Sequence, residues 1–529
     1  MRKTTLPRRW LCMGILSVVL TVALLVPSLQ LPLTLEATPR AQPVLLQQAV
    51  ANPQSRVQVI VQKWAKDQSL EQLVAKLGGT VTLDLHIINA FAAELPASAV
   101  SKLATARGVR WVSLDAVLGD SAGPVDDRSQ IDSPISTTNL RSVYTRAIGA
   151  TQLWSETPSM QGQGIGVAVV DSGVTKHDDL RQTTDSKSGF RISAWQSYYQ
   201  RCAANQCLYD GAVDMFGHGT HVAGIIGGNG ARSYGAYVGV APRVNIIGVK
   251  VSDDNGAGRT STVVAGLQWV YENRNRYNIR VVNLSLNGSI PESYNTSPLD
   301  AALEILWFNR IVVVVSAGNS GSASLYPPAN DPFVITVGAI DDRGTVEPND
   351  DILARFSAYG TIGQGLTKPD LVAPGTNIIS LLASGSSLAQ KHPDHSVSGF
   401  FGSNQYFRMS GTSMASAVVA GAVALLLQEE PTLTPDQVKY RLMATARPIP
   451  GNGAGAGALN IYAAVRASTA ASANSGLVPS RLLWSGVNPI HWNNTNWNSV
   501  NWDSVNWDSV NWDSVNWDSV NWDSVYWGD

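Results

Sequence analysis

Ser413 opens the stretch Gly411-Thr412-Ser413-Met414-Ala415-Ser416-Ala417, after which small and apolar residues run unbroken to Leu427. A hydroxyl at the start of such a run stands at a helix N-terminus, where unpaired backbone N–H groups and the positive end of the helix dipole favour developing negative charge. That setting suits a nucleophile, and it equally suits a plain serine cap on a core helix. Two other stretches bear on the choice. Ile165 to Val170 is a short valine-rich run of the kind that forms a buried parallel strand, and it delivers Asp171-Ser172-Gly173 at its end. Between this acid and the serine lies Gly217-His218-Gly219-Thr220-His221-Val222-Ala223-Gly224, where a histidine enters a second small-residue helix and offers a general base. Carboxylate, imidazole and hydroxyl are the parts of an acyl-transfer triad, and Asp, His, Ser is one of three chain orders in which unrelated folds carry it.

These motifs resemble those of the subtilisin-like serine peptidases (subtilases), over about Ile148 to Val465. The resemblance implies that Asp171 orients the imidazole, that His218 acts as general base and then acid, and that Ser413 attacks the scissile carbonyl. It also makes Asn319, in Ser316-Ala317-Gly318-Asn319, the oxyanion donor beside the Ser413 backbone N–H; taken alone, Asn319 reads as a turn residue. The stretch Asn283-Leu284-Ser285-Leu286-Asn287-Gly288 is similar to the family's substrate-binding strand. Ser285, Leu286 and Asn287, with Gly318, are therefore expected to meet an extended peptide, chiefly through main-chain pairing. Asn287 stands where many relatives have glycine, and a side chain there would narrow the first specificity pocket. Tyr326-Pro327 resembles a position where relatives hold a cis proline.

Asp179 lies where relatives place a calcium ligand, and the loop Gly227-Gly228-Asn229-Gly230 offers carbonyl oxygens to such an ion; a solvated surface carboxylate is the rival reading. No cofactor is required for the chemistry. His218 and His221 are three residues apart, but the glutamate of an H-E-x-x-H zinc site is absent, so His221 is expected to pack inside.

Such a triad needs a scaffold that gathers distant residues at one crevice. Strands are expected at Ile165–Val170, Val244–Val251, Val281–Leu286, Ile311–Val315 and Phe333–Ile340, and helices at Thr260–Tyr277, Pro298–Asn309, Ser413–Gln428 and Pro435–Ala444. This alternation predicts an α/β fold, a doubly wound parallel sheet with helices on both faces and ligands at the carboxyl ends of the strands. The peptidase domain is placed at 146–466. Ahead of it, residues 50–118 show a small β-α-β-β-α-β pattern. By resemblance this α+β unit is an inhibitory propeptide domain, with residues 119–145 as a processing linker.

The remaining segments set location and partners. Residues 1–36 carry Arg2, Lys3, Arg8 and Arg9, then no charge from Trp10 to Leu35, which reads as a signal peptide or an anchor. The protein is thus expected to be secreted or extracellular, with cell-surface or membrane attachment as the variant. Cys202 and Cys207 form an even pair in an exported chain and are expected as a disulfide. With 38 basic and 40 acidic side chains, nothing marks nucleic acid as a partner. Residues 467–487 read as a linker, and 488–529 as a Trp-rich tail in which Asn-Trp-Asp/Asn-Ser-Val recurs six times. A five-residue β-helical coil and low-complexity disorder are its competing readings.

The function these features predict is an exported serine endopeptidase, made as a self-inhibited precursor, acting on extended peptide or protein substrates with its own propeptide as intramolecular inhibitor. A catalytically silent adhesion module, touching a cell surface through the Trp-rich tail, is the alternative. A lipase or esterase would need G-x-S-x-G, which Gly411-Thr412-Ser413-Met414-Ala415 does not match.

Overall fold

The computed structural model describes residues 39–120, 142–483 and 491–492, apart from gaps at 184, 200, 204–205, 209–212 and 399–403, together with the pairs 516–517 and 520–521. The expected signal segment, most of the processing linker and nearly all of the repeat tail lie outside the described residues.

Residues 43–120 build the small α+β unit from α1 (Pro43–Ala51), β1 (Arg56–Lys63), α2 (Ser69–Lys76), β2 (Thr80–Leu85), β3 (Ala90–Pro96), α3 (Val100–Ala104), β4 (Val109–Leu114) and β5 (Val117–Asp120). Its sheet is antiparallel in the order β2-β3-β1-β4. Side chains alternate across a strand, and β1 uses both faces. Val59 and Val61 join Leu45, Phe91 and Leu103 in the unit's own core, while Ile60 joins the core of the larger domain. The unit is therefore fastened to its neighbour through the second face of its sheet.

The larger domain begins with α4 (Val143–Ala147), α5 (Ala150–Trp154), β6 (Gly166–Asp171), β7 (Ile192–Ser197) and the hairpin β8 (Arg201–Ala203) and β9 (Gln206–Leu208). It continues through α6 (His218–Gly227), β10 (Asn245–Lys250), β11 (Ala257–Arg259), α7 (Thr260–Asn273), β12 (Ile279–Leu284), β13 (Leu286–Gly288), α8 (Pro298–Phe308) and β14 (Val312–Ser316). Then come β15 (Ile335–Asp341), β16 (Ile352–Leu353), β17 (Gly360–Thr361), β18 (Thr367–Lys368), β19 (Leu371–Pro374), β20 (Ile378–Leu381), α9 (Ser387–Lys391), β21 (Ser396–Ser398) and β22 (Asn404–Met409). The domain closes with α10 (Thr412–Glu429), α11 (Pro435–Ala444) and α12 (Ile461–Arg466).

The central sheet runs β16-β15-β14-β12-β6-β10-β7, with β19 also beside β15; every pair is parallel except β15 with β16. Helices α6 and α10 pack together, and α10 lies against β12, β14 and β15, while α7 and α8 pack with each other and against β6 and β14. All residues of β6 and β14 are buried, as a strand covered by helices on both sides requires. Helix α10 is long and apolar enough to cross a membrane, but it is almost wholly enclosed by the domain and serves as its central core helix.

Several expectations shift. The run expected as one strand from Val281 to Leu286 breaks at Ser285, with β13 leaving the main sheet to pair with β5. Gly119 and Asp120, expected in a free linker, belong to β5, which is flanked by β11 on one side and β13 on the other. The cis bonds among the described residues include Pro327-Pro328 rather than Tyr326-Pro327. The β8–β9 register sets Cys202 opposite Cys207.

Residues beyond α12, expected as a linker, pack on the domain. Asn474 Nδ2 donates to Phe333 O at 3.0 Å and to Asp436 Oδ1 at 2.7 Å, and the Ser480 N–H donates to Glu304 Oε2 at 2.7 Å. Trp492 stands five residues before Trp497, in step with the repeat. Its ring stacks on Phe308 at 4.3 Å and meets Phe333 edge-on at 5.7 Å, while Nε1 donates to Asp436 Oδ2 at 2.6 Å. Farther on, Trp517 pairs antiparallel with Val520.

Candidate active site

The apolar strands end side by side, and the predicted polar residues stand where they end. Asp171 is the last residue of β6, Ser285 follows β12, and Ser316 closes β14, with β12 between the other two. Helix α6 begins at His218, so its imidazole hangs over the end of β6. Gly219 permits the approach: a Cβ there would lie 2.2 Å from the Gly173 carbonyl oxygen and 3.1 Å from Asp171 Oδ1.

Asp171 and His218 are both fully buried, with His218 Nδ1 at 2.8 and 3.0 Å from the two carboxylate oxygens. Two acceptors fix the proton on Nδ1 and leave Nε2 as the basic nitrogen. Asp171 is itself held, its Oδ1 accepting the Ser172 N–H at 2.7 Å and the Ser172 hydroxyl at 3.2 Å.

Behind this pair stands a residue the sequence reading passed over. Asp214, 2% exposed, accepts from Ser172 Oγ at 2.8 Å and Gly217 N at 2.7 Å through Oδ1. Through Oδ2 it accepts from Thr220 N at 2.8 Å and Thr220 Oγ1 at 2.7 Å. Burial pushes its pKa up while these donors oppose the shift. Asp214 thus caps the helix that carries His218 and, through Ser172, steadies Asp171. Its signal in the sequence is an acid four residues ahead of a helix-opening histidine.

Ser413 lies in the first turn of α10, buried, on the helix that packs against α6. The Ser285 hydroxyl donates toward the Ser413 carbonyl at 3.4 Å and shares a hydrogen bond with Ser416 Oγ at 3.0 Å, which ties the end of β12 to the start of α10. Asn319 adjoins the same helix end. Its Oδ1 accepts from Thr412 N and Thr412 Oγ1, both at 2.9 Å, while its Nδ2 finds no partner among the described residues. Gly318 has φ +100°, which favours glycine, and its N–H donates to Thr412 Oγ1 at 3.1 Å.

Asn287 ties β13 to the end of β14: its Nδ2 donates to Ser316 O at 3.1 Å and its Oδ1 accepts from Ser316 Oγ at 3.0 Å, and β13 and β11 are the two walls of a groove. The groove is filled by β5. Leu118 pairs with Gly258 and Gly288, Gly119 with Ala257 and Asn287, and Asp120 with Leu286. Leu118 is buried in the large domain's core. Asp115, just upstream, accepts from Ser261 N at 2.9 Å and Ser261 Oγ at 2.8 Å in the first turn of α7.

His221 packs inside as expected. It is fully buried, with Nε2 2.9 Å from Phe407 O, and burial drives its pKa down to about 3, so it stays neutral. At Asp179, expected as a calcium ligand, both carboxylate oxygens meet protein donors. Asp179 Oδ1 accepts from Arg232 N and Oδ2 from Tyr406 OH, both at 2.8 Å, so its carboxylate is occupied by protein donors. The carbonyls of Asp179 and Gly227 accept from the Arg191 guanidinium. A calcium ion needs several unclaimed oxygens around one point, and these residues do not fit it. Among the described residues, no group of three or more His, Cys, Asp or Glu side chains is arranged to hold a metal ion.

Comparison with known proteins converges on one family. A profile described as the subtilase family matches residues 162–470. The chain is 37% identical over 327 residues to serine protease AprX of Bacillus subtilis (strain 168), a match covering 58% of this chain and 69% of that protein. It is 30% identical over 403 residues to subtilisin E of the same organism, covering 75% of this chain and 86% of that one. Among solved structures, fervidolysin from Fervidobacterium pennivorans, described as a keratinolytic enzyme related to subtilisin, matches with TM-score 0.58 and 26% identity, over 80% of this chain and 62% of that one.

Proposed function

The chain belongs to the subtilase family of serine peptidases, and from that premise we propose that it is an exported endopeptidase working through Asp171, His218 and Ser413. The observation that carries the reading is the buried Asp171–His218 pair, with Nδ1 claimed by two carboxylate oxygens. His218 Nε2 takes the Ser413 proton as Oγ bonds to the scissile carbonyl carbon, and the imidazolium then protonates the leaving amine. Water, deprotonated by the same nitrogen, hydrolyses the acyl-enzyme and restores Ser413. The oxyanion is received by Asn319 Nδ2 and the Ser413 N–H at the start of α10.

Substrates bind as an extended strand between β11 and β13, in the manner of β5. Residues 50–118 act as the inhibitory propeptide, and the end of β5 holds the groove until the chain is cut. Maturation, export and release outside the cell complete the proposal, and Cys202 with Cys207 form a disulfide there. In the test, Ser413→Ala abolishes hydrolysis of a protein substrate, and a fluorophosphonate labels the matured parent at Ser413 by peptide mass. Labelling elsewhere, or hydrolysis surviving in Ser413→Ala, ends the proposal.

A further inference from the structure

Arg191 is 5% exposed and sits just before β7, beneath the turn that carries Asp179. Its guanidinium gathers carbonyl oxygens from separate parts of the chain. Nε donates to Arg181 O at 2.8 Å and Nη1 to Val244 O at 2.7 Å, while Nη2 donates to Asp179 O at 3.0 Å and also to Gly227 O. Gly227 is the last residue of α6, where unpaired carbonyls and the negative end of the helix dipole favour a positive charge. Val244 leads into β10, and Asp179 and Arg181 belong to the turn after β6. Burial lowers the Arg191 pKa to about 10, which leaves it fully charged at neutral pH.

Carbonyl oxygens converging from several loops are the ligand chemistry of a hard cation. Here a planar, permanently charged group with fixed donor directions meets them instead. We propose that Arg191 is the built-in structural cation of this part of the fold, clamping the far end of α6 to β10 and the Asp179 turn, and that no calcium ion is needed at this place. The Asp179 carboxylate, satisfied by Arg232 and Tyr406, completes the arrangement from the opposite side. The inference stands on Arg191 and its partners and does not depend on which residues carry the catalysis.

The test uses the full chain with Ser413→Ala, so that self-digestion does not confuse the melting temperature. Adding Arg191→Ala should lower the melting temperature by roughly 5–10 °C, because it takes the guanidinium from the Val244 and Gly227 carbonyls and leaves those of Asp179 and Arg181 with Asn229 alone. Arg191→Lys should lose a large part of the same amount, since a single ammonium lacks the fork that spans them. The parent should show no calcium binding that Asp179→Asn removes. Melting of Arg191→Ala or Arg191→Lys within a degree or so of the parent overturns the proposal. So does a calcium ion bound by the parent, read by calorimetric titration, and lost in Asp179→Asn. Should Arg191→Ala fail to fold, the lysine variant and the titration still decide.

Discussion

Asn319 turns its carbonyl oxygen onto Thr412, the residue before Ser413, and leaves its buried amide nitrogen with no partner among the described residues. One side chain thereby does two separable things. Asn319→Asp keeps an acceptor for Thr412 and removes the donor, so it should fold normally yet lower kcat by about 10²- to 10³-fold with little change in KM, a magnitude carried over from another subtilisin. Steady-state kinetics with a peptide substrate checks this. A variant that keeps its kcat would remove Asn319 from the oxyanion role.

Asp214 is bonded to the surroundings of Asp171 and His218 through Ser172 and the start of α6. Replacing it with Asn puts an amide where two Thr220 donors converge, and loss of charge-assisted bonds of this kind is expected to lower kcat roughly 10- to 100-fold. A buried negative charge also disappears from the neighbourhood of His218, which makes the imidazolium less favourable and moves the acid limb of the kcat/KM profile to lower pH. A lower melting temperature with an unmoved acid limb would mean that Asp214 is purely structural.

Asp115 joins the small α+β unit to α7 through two bonds to Ser261. Removing a cap of this kind costs about 1 kcal/mol, so Asp115→Ala should open the junction about fivefold more often. In the Ser413→Ala precursor, the rate at which an added protease cuts residues 39–120 measures that opening. An unchanged rate would contradict it.

Stability should fall as pH rises between about 5 and 7. Asp300 and Glu304 on α8 are fully buried, and Glu292 and Asp331 face the same region; among the described residues Asp300 has no hydrogen-bond partner for either carboxylate oxygen, and each of the others has one oxygen unpartnered. Burial raises the pKa of all four, Asp331 to about 6 and Glu292 to about 8. The native state therefore holds protons that the unfolded chain has released above its ordinary carboxylate pKa, and stability present at acid pH is lost as pH climbs toward the folded values. Lys368 and Lys439, with Asp370 between them, are the facing cations. Burial lowers Lys368 to about 7, and its titration acts in the opposite sense above that pH, which sets the upper end of the window. Urea midpoints at pH 5 and pH 7 should show the fall, and Glu304→Gln should flatten it. A midpoint that rises over this interval would refute the assignment.

Much of the site was legible because its elements are the least ambiguous kind. Ile165–Val170 and the run after Ser413 are apolar throughout, so burial on every side left them one reading, and Asp171 and Ser413 were located by the ends of those runs. What escaped depended on partners far away in the chain. Val117 to Asp120 is too short to declare a strand until Arg259 and Leu286 stand on either side of it. Arg191 is one of several charges in a polar loop, and only the convergence of four carbonyls gives it a task. Asp179 matched a calcium position by its neighbours in sequence, whereas the donors from Arg232 and Tyr406 come from elsewhere in the fold.

Trp492 seats itself against Phe308 and Phe333, which precede β14 and β15. Asp171 and Ser316 stand at the other tips of the parallel strands, a strand length of about 16–20 Å away. Trp492 is consequently anchored behind the sheet, at the opposite end of the strands from Asp171 and Ser316. Held at Trp492, the domain would keep the strand ends that carry Asp171 and Ser316 open on the far side, like a blade held by its handle.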